Sequence, residues 1–192
     1  MQDLNGKPFG SEELSGKYYL LYFGGSLCPD VCPFTLMTMQ KAQRIINKSS
    51  EGKQYVQLQT VFVTTNPQYD TAERLRQFRK DLFGPSLIVL RSETNTSPNL
   101  LSMLKMFKVP VGLSDEETEH FKEFYNQNKS WFGRRKEDDS IVNDHSKVIY
   151  LMSPENQFMN FYKLNLTDSE LAEQLLEEIS YDIGIRNIGK TK

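Results

Sequence analysis

The chain has 192 residues, a length that suits one domain. With 38% hydrophobic and 25% charged residues it has the composition of a globular protein, and its formal net charge of −2 argues against nucleic acid or an anionic membrane surface as a partner. Its 2 cysteines are too few for a disulfide-rich secreted scaffold, and no apolar run approaches the roughly 20 residues of a membrane-spanning helix.

The first predicted elements are a buried strand and an amphipathic helix. A short apolar and aromatic run that ends in glycines, 16–25, predicts the strand. Pro33 suits the first turn of the following helix, where a missing N–H costs little. That helix places four apolar residues on one face: Leu36, Met39, Ala42 and Ile46.

A second strand and helix follow. Residues 55–65 alternate and then become fully apolar, as in a central strand. The segment 70–84 predicts a helix with Asp70 as its N-cap and Gly84 as its C-cap. The pattern then predicts a strand at 86–91 and a helix at 97–109 that stops before Pro110.

The last third of the chain begins with a weakly patterned stretch, at about 113–143, that we interpret as a loop insertion within a single domain spanning 1–192. Strands at 146–152 and 158–164, joined by a turn, then predict a hairpin. The terminal helix at 167–183 has Thr167 or Asp168 as its cap.

This order of elements predicts an α/β, thioredoxin-like fold. Strands that alternate with helices indicate a central, mostly parallel sheet with helices on both faces. The closing hairpin adds antiparallel strands, and a helix completes the C-terminus.

Both cysteines lie in LCPDVC, directly after the first strand, at Cys28 and Cys32. In open α/β sheets, sites form beyond the carboxyl ends of the strands. The N–H groups at a helix start also favour thiolates. Three residues separate the cysteines, whereas the thioredoxin redox motif has two, so the spacing leaves redox and metal-binding roles open.

His145, which follows Asp144 and precedes the closing hairpin, favours a metal. In a thioredoxin-like fold this loop lies beside the cysteine turn, so we expect its imidazole to complete a three-ligand site with Cys28 and Cys32. Thiolates select Cu(I), and imidazole also suits copper. Asp144 could orient the loop or form a hydrogen bond nearby. Three ligands leave one position open, as suits a metal that is handed on.

At these residues the chain resembles the SCO/SenC family, copper proteins that help to assemble cytochrome c oxidase. The matching segments, from about residue 6 to 183, are LLYFG, CPDVCP, VFVTTNPQYDT and DHSKVIYLMSPENQF, in that order. The resemblance implies one copper ion per chain, with Cys28, Cys32 and His145 as its ligands. The implied function is a copper metallochaperone for the dinuclear copper centre of oxidase subunit 2.

The resemblance also implies a location and partners. It implies a membrane-anchored domain with its anchor upstream of Met1, on the mitochondrial inner membrane facing the intermembrane space or in the bacterial periplasm. The expected partner is cytochrome c oxidase subunit 2 or another oxidase assembly factor. The chain departs from the family pattern in having Ser26-Leu27 instead of Thr-His, NPQYD at 66–70 instead of DPxRD, and the longer stretch at 113–143.

Two other functions stay open. In a thiol–disulfide oxidoreductase acting on oxidase subunit cysteines, Cys28 would be the attacking thiolate and Cys32 the resolving one. The altered segment at 66–70 and the stretch at 113–143 also suit a relative retained as a structural subunit of a respiratory complex. That stretch, with its aromatic residues, would then be a docking element.

Overall fold

The structure, a computed structural model, describes residues 1–26, 28, 31–49, 57–109 and 148–190, with side chains as far as Arg186. A short 3-10 helix at Ser11–Leu14 precedes the sheet. The strands are β1 (Tyr18–Gly24), β2 (Leu58–Thr64), β3 (Leu87–Leu90), β4 (Val148–Met152) and β5 (Phe158–Lys163). The helices are α1 (Val31–Lys48), α2 (Ala72–Leu82), α3 (Pro98–Met106) and α4 (Asp168–Lys190).

The strands form one sheet in the order β3-β2-β1-β4-β5. β1, β2 and β3 are parallel, whereas β4 runs antiparallel to β1 and β5 antiparallel to β4. Gly24 at the end of β1 pairs with Thr64 at the end of β2, so the two carboxyl ends are level. The predicted fold, a parallel centre with an antiparallel closing hairpin, is confirmed.

Helices cover both faces of this sheet, as predicted. The core on one face contains residues of α1, α2 and α4, and the core on the other contains residues of α3. Tyr22 in β1 belongs to the first core and Phe23 to the second, because successive strand side chains point to opposite faces. Every residue of β1 is buried, which explains its unbroken apolar sequence. The predicted stripe of α1 is fully buried at Leu36, Met39, Ala42 and Ile46.

The ends of the helices follow the predicted signals in part. Thr167 caps α4 reciprocally: its hydroxyl accepts the Glu170 N–H at 3.2 Å, and the Glu170 carboxylate accepts the Thr167 N–H at 2.8 Å. The C-cap of α2 is Phe83, one residue before the predicted Gly84, which follows it with a φ of 71°. The prediction that Asp70 is the N-cap of α2 is wrong, since the Thr71 hydroxyl accepts the Arg74 N–H instead.

Several predictions fall outside the described residues. The stretch at 113–143 and the candidate ligands Asp144 and His145 all lie between residues 109 and 148. A single domain over 1–192 therefore stays a prediction. In the part of the chain that the structure describes, no helix is both long and apolar enough to cross a membrane.

Candidate metal centre

The two cysteines lie at the carboxyl end of β1, where the chain turns into α1. Gly25 and Ser26 follow the strand, and the Cys28 N–H donates to the Gly25 carbonyl at 3.2 Å. α1 begins at Val31, so Cys32 is in its first turn and Cys28 precedes the helix. The turn therefore occupies the position where open α/β sheets form sites.

The sulfurs of Cys28 and Cys32 are brought together by capping of the helix start. Cys28 Sγ accepts the Cys32 N–H at 3.3 Å, and the two cysteine side chains are also hydrogen-bonded to each other. They form no disulfide. Two adjacent soft sulfur donors fit Cu(I), and the same pair could close a disulfide.

The two thiols differ in their surroundings. Cys32 is 0% exposed, whereas Cys28 is partly exposed. The Tyr22 hydroxyl lies 3.6 Å from Cys32 Sγ. The hydrogen bond with Cys28, together with burial, raises the pKa of the Cys32 thiol well above its usual range. A metal that binds Cys32 must therefore displace its proton.

Gly24 makes room for the buried sulfur. A Cβ placed on Gly24 would lie 2.7 Å from Cys32 Sγ and 3.3 Å from the rings of Tyr22 and Phe62. Only glycine allows the end of β1 to approach the first turn of α1 this closely. The backbone of the strand thus sets the position of the Cys32 sulfur.

Asp70 ties the cysteine turn to the end of β2. Its carboxylate is 1% exposed and accepts the Ser26 N–H at 3.0 Å, the Ser26 hydroxyl, and the Thr64 hydroxyl at 2.6 Å. Arg91 holds the loop that follows β2, because its side chain donates to the carbonyls of Asp70 at 3.4 Å and Pro67 at 3.1 Å. Ser26, two positions before Cys28, is therefore held by the buried carboxylate of Asp70.

Comparison with known proteins shows which family this chain belongs to. The family model described as SCO1/SenC matches residues 1–180. The chain belongs to the SCO1/SenC family. Over 181 residues it is 30% identical to the mitochondrial protein SCO2 of Saccharomyces cerevisiae, covering 93% of this chain and 51% of the yeast protein. It thus spans about half the length of this relative.

Two solved structures of the SCO1/SenC type resemble this one closely. Yeast Sco1 with copper bound has a TM-score of 0.69 and 26% identity, covering 93% of this chain and 84% of the yeast chain. Arabidopsis thaliana ScoI with copper bound has a TM-score of 0.68 and 29% identity, covering 94% of both chains.

The structure brings together two of the four predicted site residues, Cys28 and Cys32. Asp144 and His145 lie outside the described residues, and their roles stay predictions. Among the residues that the structure describes, no group of three or more histidine, cysteine, aspartate or glutamate side chains could hold a metal.

Two residues that shape the turn were not predicted to do so. Asp70 was expected to be a helix cap, and no sequence signal distinguishes that role from the contact with Ser26. Gly24 was expected only to end a strand. Ser26 stands where the family usually has threonine. Its hydroxyl donates a hydrogen bond to the Asp70 carboxylate.

Replacing Asp70 by alanine is expected to destabilise the protein by about 1–3 kcal/mol, because it leaves the buried Thr64 hydroxyl and the partly buried Ser26 N–H without their acceptor. Asp70→Asn should cost less, since its amide oxygen can still accept. Urea unfolding measures both, with the exposed Asp81→Ala as a control that changes stability by less than about 0.5 kcal/mol. Equal stability of Asp70→Ala and Asp81→Ala would contradict this role.

Proposed function

We propose that this protein is a copper metallochaperone that binds one copper ion through Cys28, Cys32 and His145 and serves the assembly of cytochrome c oxidase. The observation that carries the proposal is the pair of adjacent thiols at the carboxyl end of β1, joined by capping of α1. Membership of the SCO1/SenC family supports it, as do the relatives of known structure that hold copper. Sco proteins are described as a family of cytochrome c oxidase assembly proteins.

The chemistry of the pair suits metal transfer. Thiolates favour Cu(I), and the first-turn N–H groups of α1 favour the negative charge that both sulfurs carry when they bind a metal. Cys28 is the partly exposed member, so an incoming ligand meets the metal from its side. An imidazole from His145 would give a three-coordinate ion with one position open, and Asp144 would orient that loop.

The recipient and the location are part of the same proposal. The recipient is the dinuclear copper centre of oxidase subunit 2, reached directly or through another assembly factor. The mitochondrial names of the relatives from yeast and Arabidopsis thaliana support a place in mitochondria, on the intermembrane-space side of the inner membrane. The alternative is a periplasmic location, which the bacterial relatives in Rickettsia support.

Anaerobic Cu(I) titration tests the third ligand. We expect one Cu(I) per wild-type chain, and an affinity at least about tenfold lower for His145→Ala, because losing a ligand costs no less than losing a residue that orients one. The chain has 2 histidines, so His120→Ala is the matched control and should bind as the wild type does. Equal affinities of His145→Ala and the wild type would refute the three-ligand site.

Thiol–disulfide exchange is the second candidate, and the unequal exposure of the cysteines favours it. Cys28 would attack a substrate disulfide to form a mixed disulfide. Cys32 would then resolve it, which releases the substrate as a dithiol and leaves a Cys28–Cys32 disulfide. Reduction of oxidase-subunit cysteines in a metal-free assay that survives His145→Ala would favour this function over copper transfer.

A further inference from the structure

The side chain of Tyr22 reaches the sulfur of Cys32. Tyr22 lies in β1, two residues before Gly24, and its hydroxyl oxygen is 3.6 Å from Cys32 Sγ. Both residues are 0% exposed and belong to the core that α1 forms with the sheet. The contact is therefore surrounded by protein groups rather than by bulk water.

Metal binding fixes the direction of this hydrogen bond. While the Cys32 thiol is protonated, either atom could be the donor. A cysteine sulfur that binds a metal has lost its proton and can only accept, whereas a tyrosine hydroxyl keeps its proton at neutral pH. With copper on Cys32, the Tyr22 O–H therefore donates to the thiolate.

Thr35 orients the Tyr22 hydroxyl toward the sulfur. It lies in α1 three residues after Cys32, which places both side chains on the same face of the helix. Thr35 is 3% exposed, and its side chain is hydrogen-bonded to Tyr22. A hydroxyl oxygen can accept from Thr35 while its own O–H donates to the sulfur. The first turns of α1 thus hold the Tyr22 hydroxyl in the position that a donor to Cys32 needs.

A hydrogen bond of this kind influences which oxidation state of copper the site prefers. Hydrogen bonds to a cysteine sulfur tune the reduction potential in copper and iron–sulfur sites. They draw electron density away from the thiolate, and Cu(II) needs that density more than Cu(I) does. Cys32 also accepts a backbone hydrogen bond from Gly25, so two protein donors meet this sulfur. Of these two, only the Tyr22 donor can be removed by changing a side chain.

We propose that Tyr22 is a positioning residue of the copper site, whose hydroxyl donates to the Cys32 thiolate and thereby favours Cu(I) over Cu(II) as the bound ion. This inference rests on the proposed function, since it requires copper on Cys32. It adds a residue of β1 that acts on the metal through its ligand and decides the preferred oxidation state.

The variant Tyr22→Phe tests this role, because it removes the hydroxyl and keeps the ring. Anaerobic redox titration of the copper-loaded full chain measures the reduction potential, which reports the ratio of the Cu(I) and Cu(II) affinities. We expect Tyr22→Phe to lower the potential, with that ratio falling by about tenfold, the lower end of what residues that orient a metal ligand contribute. A purely structural role for Tyr22 would change the stability of the fold but not this ratio.

Tyr162→Phe is the matched control. Tyr162 belongs to the same core, and its hydroxyl has no hydrogen-bond partner among the described residues, so its loss should leave the potential unchanged. A second variant keeps the hydrogen bond: 3-fluorotyrosine at position 22 has a more acidic hydroxyl than tyrosine. This stronger donor should raise the potential above that of the wild type.

Two results would overturn the inference. One is a Tyr22→Phe chain whose copper has the same potential as in the wild type and in Tyr162→Phe. The other is a chain with 3-fluorotyrosine at position 22 whose potential does not exceed that of the wild type. In both cases copper still binds, so the proposed function would stand. A wild-type chain that binds no copper would instead sink the proposed function, and this inference with it.

Discussion

Replacing either cysteine by serine is expected to lower the affinity for Cu(I) by more than about 100-fold. Residues that merely orient a ligand are worth about 10–100-fold in metal affinity, so loss of a charged thiolate ligand should exceed that range. A serine hydroxyl is a hard donor that stays protonated and does not replace a thiolate on Cu(I). Competition with a colorimetric Cu(I) chelator under anaerobic conditions measures the change for Cys28→Ser and Cys32→Ser.

The two variants should differ in stability although they share the loss of copper binding. Cys32 is fully buried in the core, so a hydroxyl there should cost about 1–3 kcal/mol, whereas the partly exposed Cys28 should tolerate serine better. Met37→Leu is the control, because it removes another sulfur from α1 without touching the pair. A Cys28→Ser variant that binds Cu(I) as tightly as Met37→Leu would rule out the thiol pair as the site.

Gly24→Ala is expected to lower both the stability of the fold and the affinity for Cu(I). Its methyl group would lie 2.7 Å from Cys32 Sγ and 3.3 Å from the rings of Tyr22 and Phe62, so the sulfur has to move. Overpacking of this kind costs about 1–3 kcal/mol of stability. Because the displaced sulfur no longer meets Cys28 in the same way, the Cu(I) affinity should fall as well, by about tenfold or more.

Gly184→Ala is the matched control for this substitution. Gly184 lies within α4, and a Cβ there meets nothing within 4 Å. Alanine should therefore raise the stability by about 0.5–1 kcal/mol through its helix propensity, with no change in copper affinity. Urea unfolding and the same chelator competition measure both variants. If Gly24→Ala matched Gly184→Ala in both measurements, the close approach of β1 to the Cys32 sulfur would matter neither for stability nor for copper binding.

The sequence predicted the sheet and helices well because burial leaves a strong pattern. β1 is buried on both faces, and its apolar run is correspondingly unbroken. The stripe of α1 and the cap at Thr167 follow from helical spacing and from the capping chemistry of Thr167 and Glu170. Family membership was also predictable, since the cysteine motif and the segment around His145 occur in the expected order.

Contacts between distant segments were harder to predict. Asp70 precedes a helix, and local chemistry favours a cap there, but its carboxylate instead binds Ser26, 44 positions away. Cys28 precedes α1 and its sulfur accepts the Cys32 N–H, a contact that the spacing of the two cysteines alone does not predict. Such contacts depend on how β1, β2 and α1 meet, which no single segment encodes.

We propose that one copper ion is held jointly by Cys28, Cys32 and His145. X-ray absorption spectroscopy at the copper edge of the Cu(I)-loaded full chain tests it most directly. We expect a three-coordinate Cu(I) with two sulfur neighbours and one nitrogen neighbour that shows imidazole scattering, and loss of that nitrogen in His145→Ala but not in His120→Ala. A copper ion with fewer than two sulfur neighbours, or with imidazole scattering that persists in His145→Ala, would contradict it.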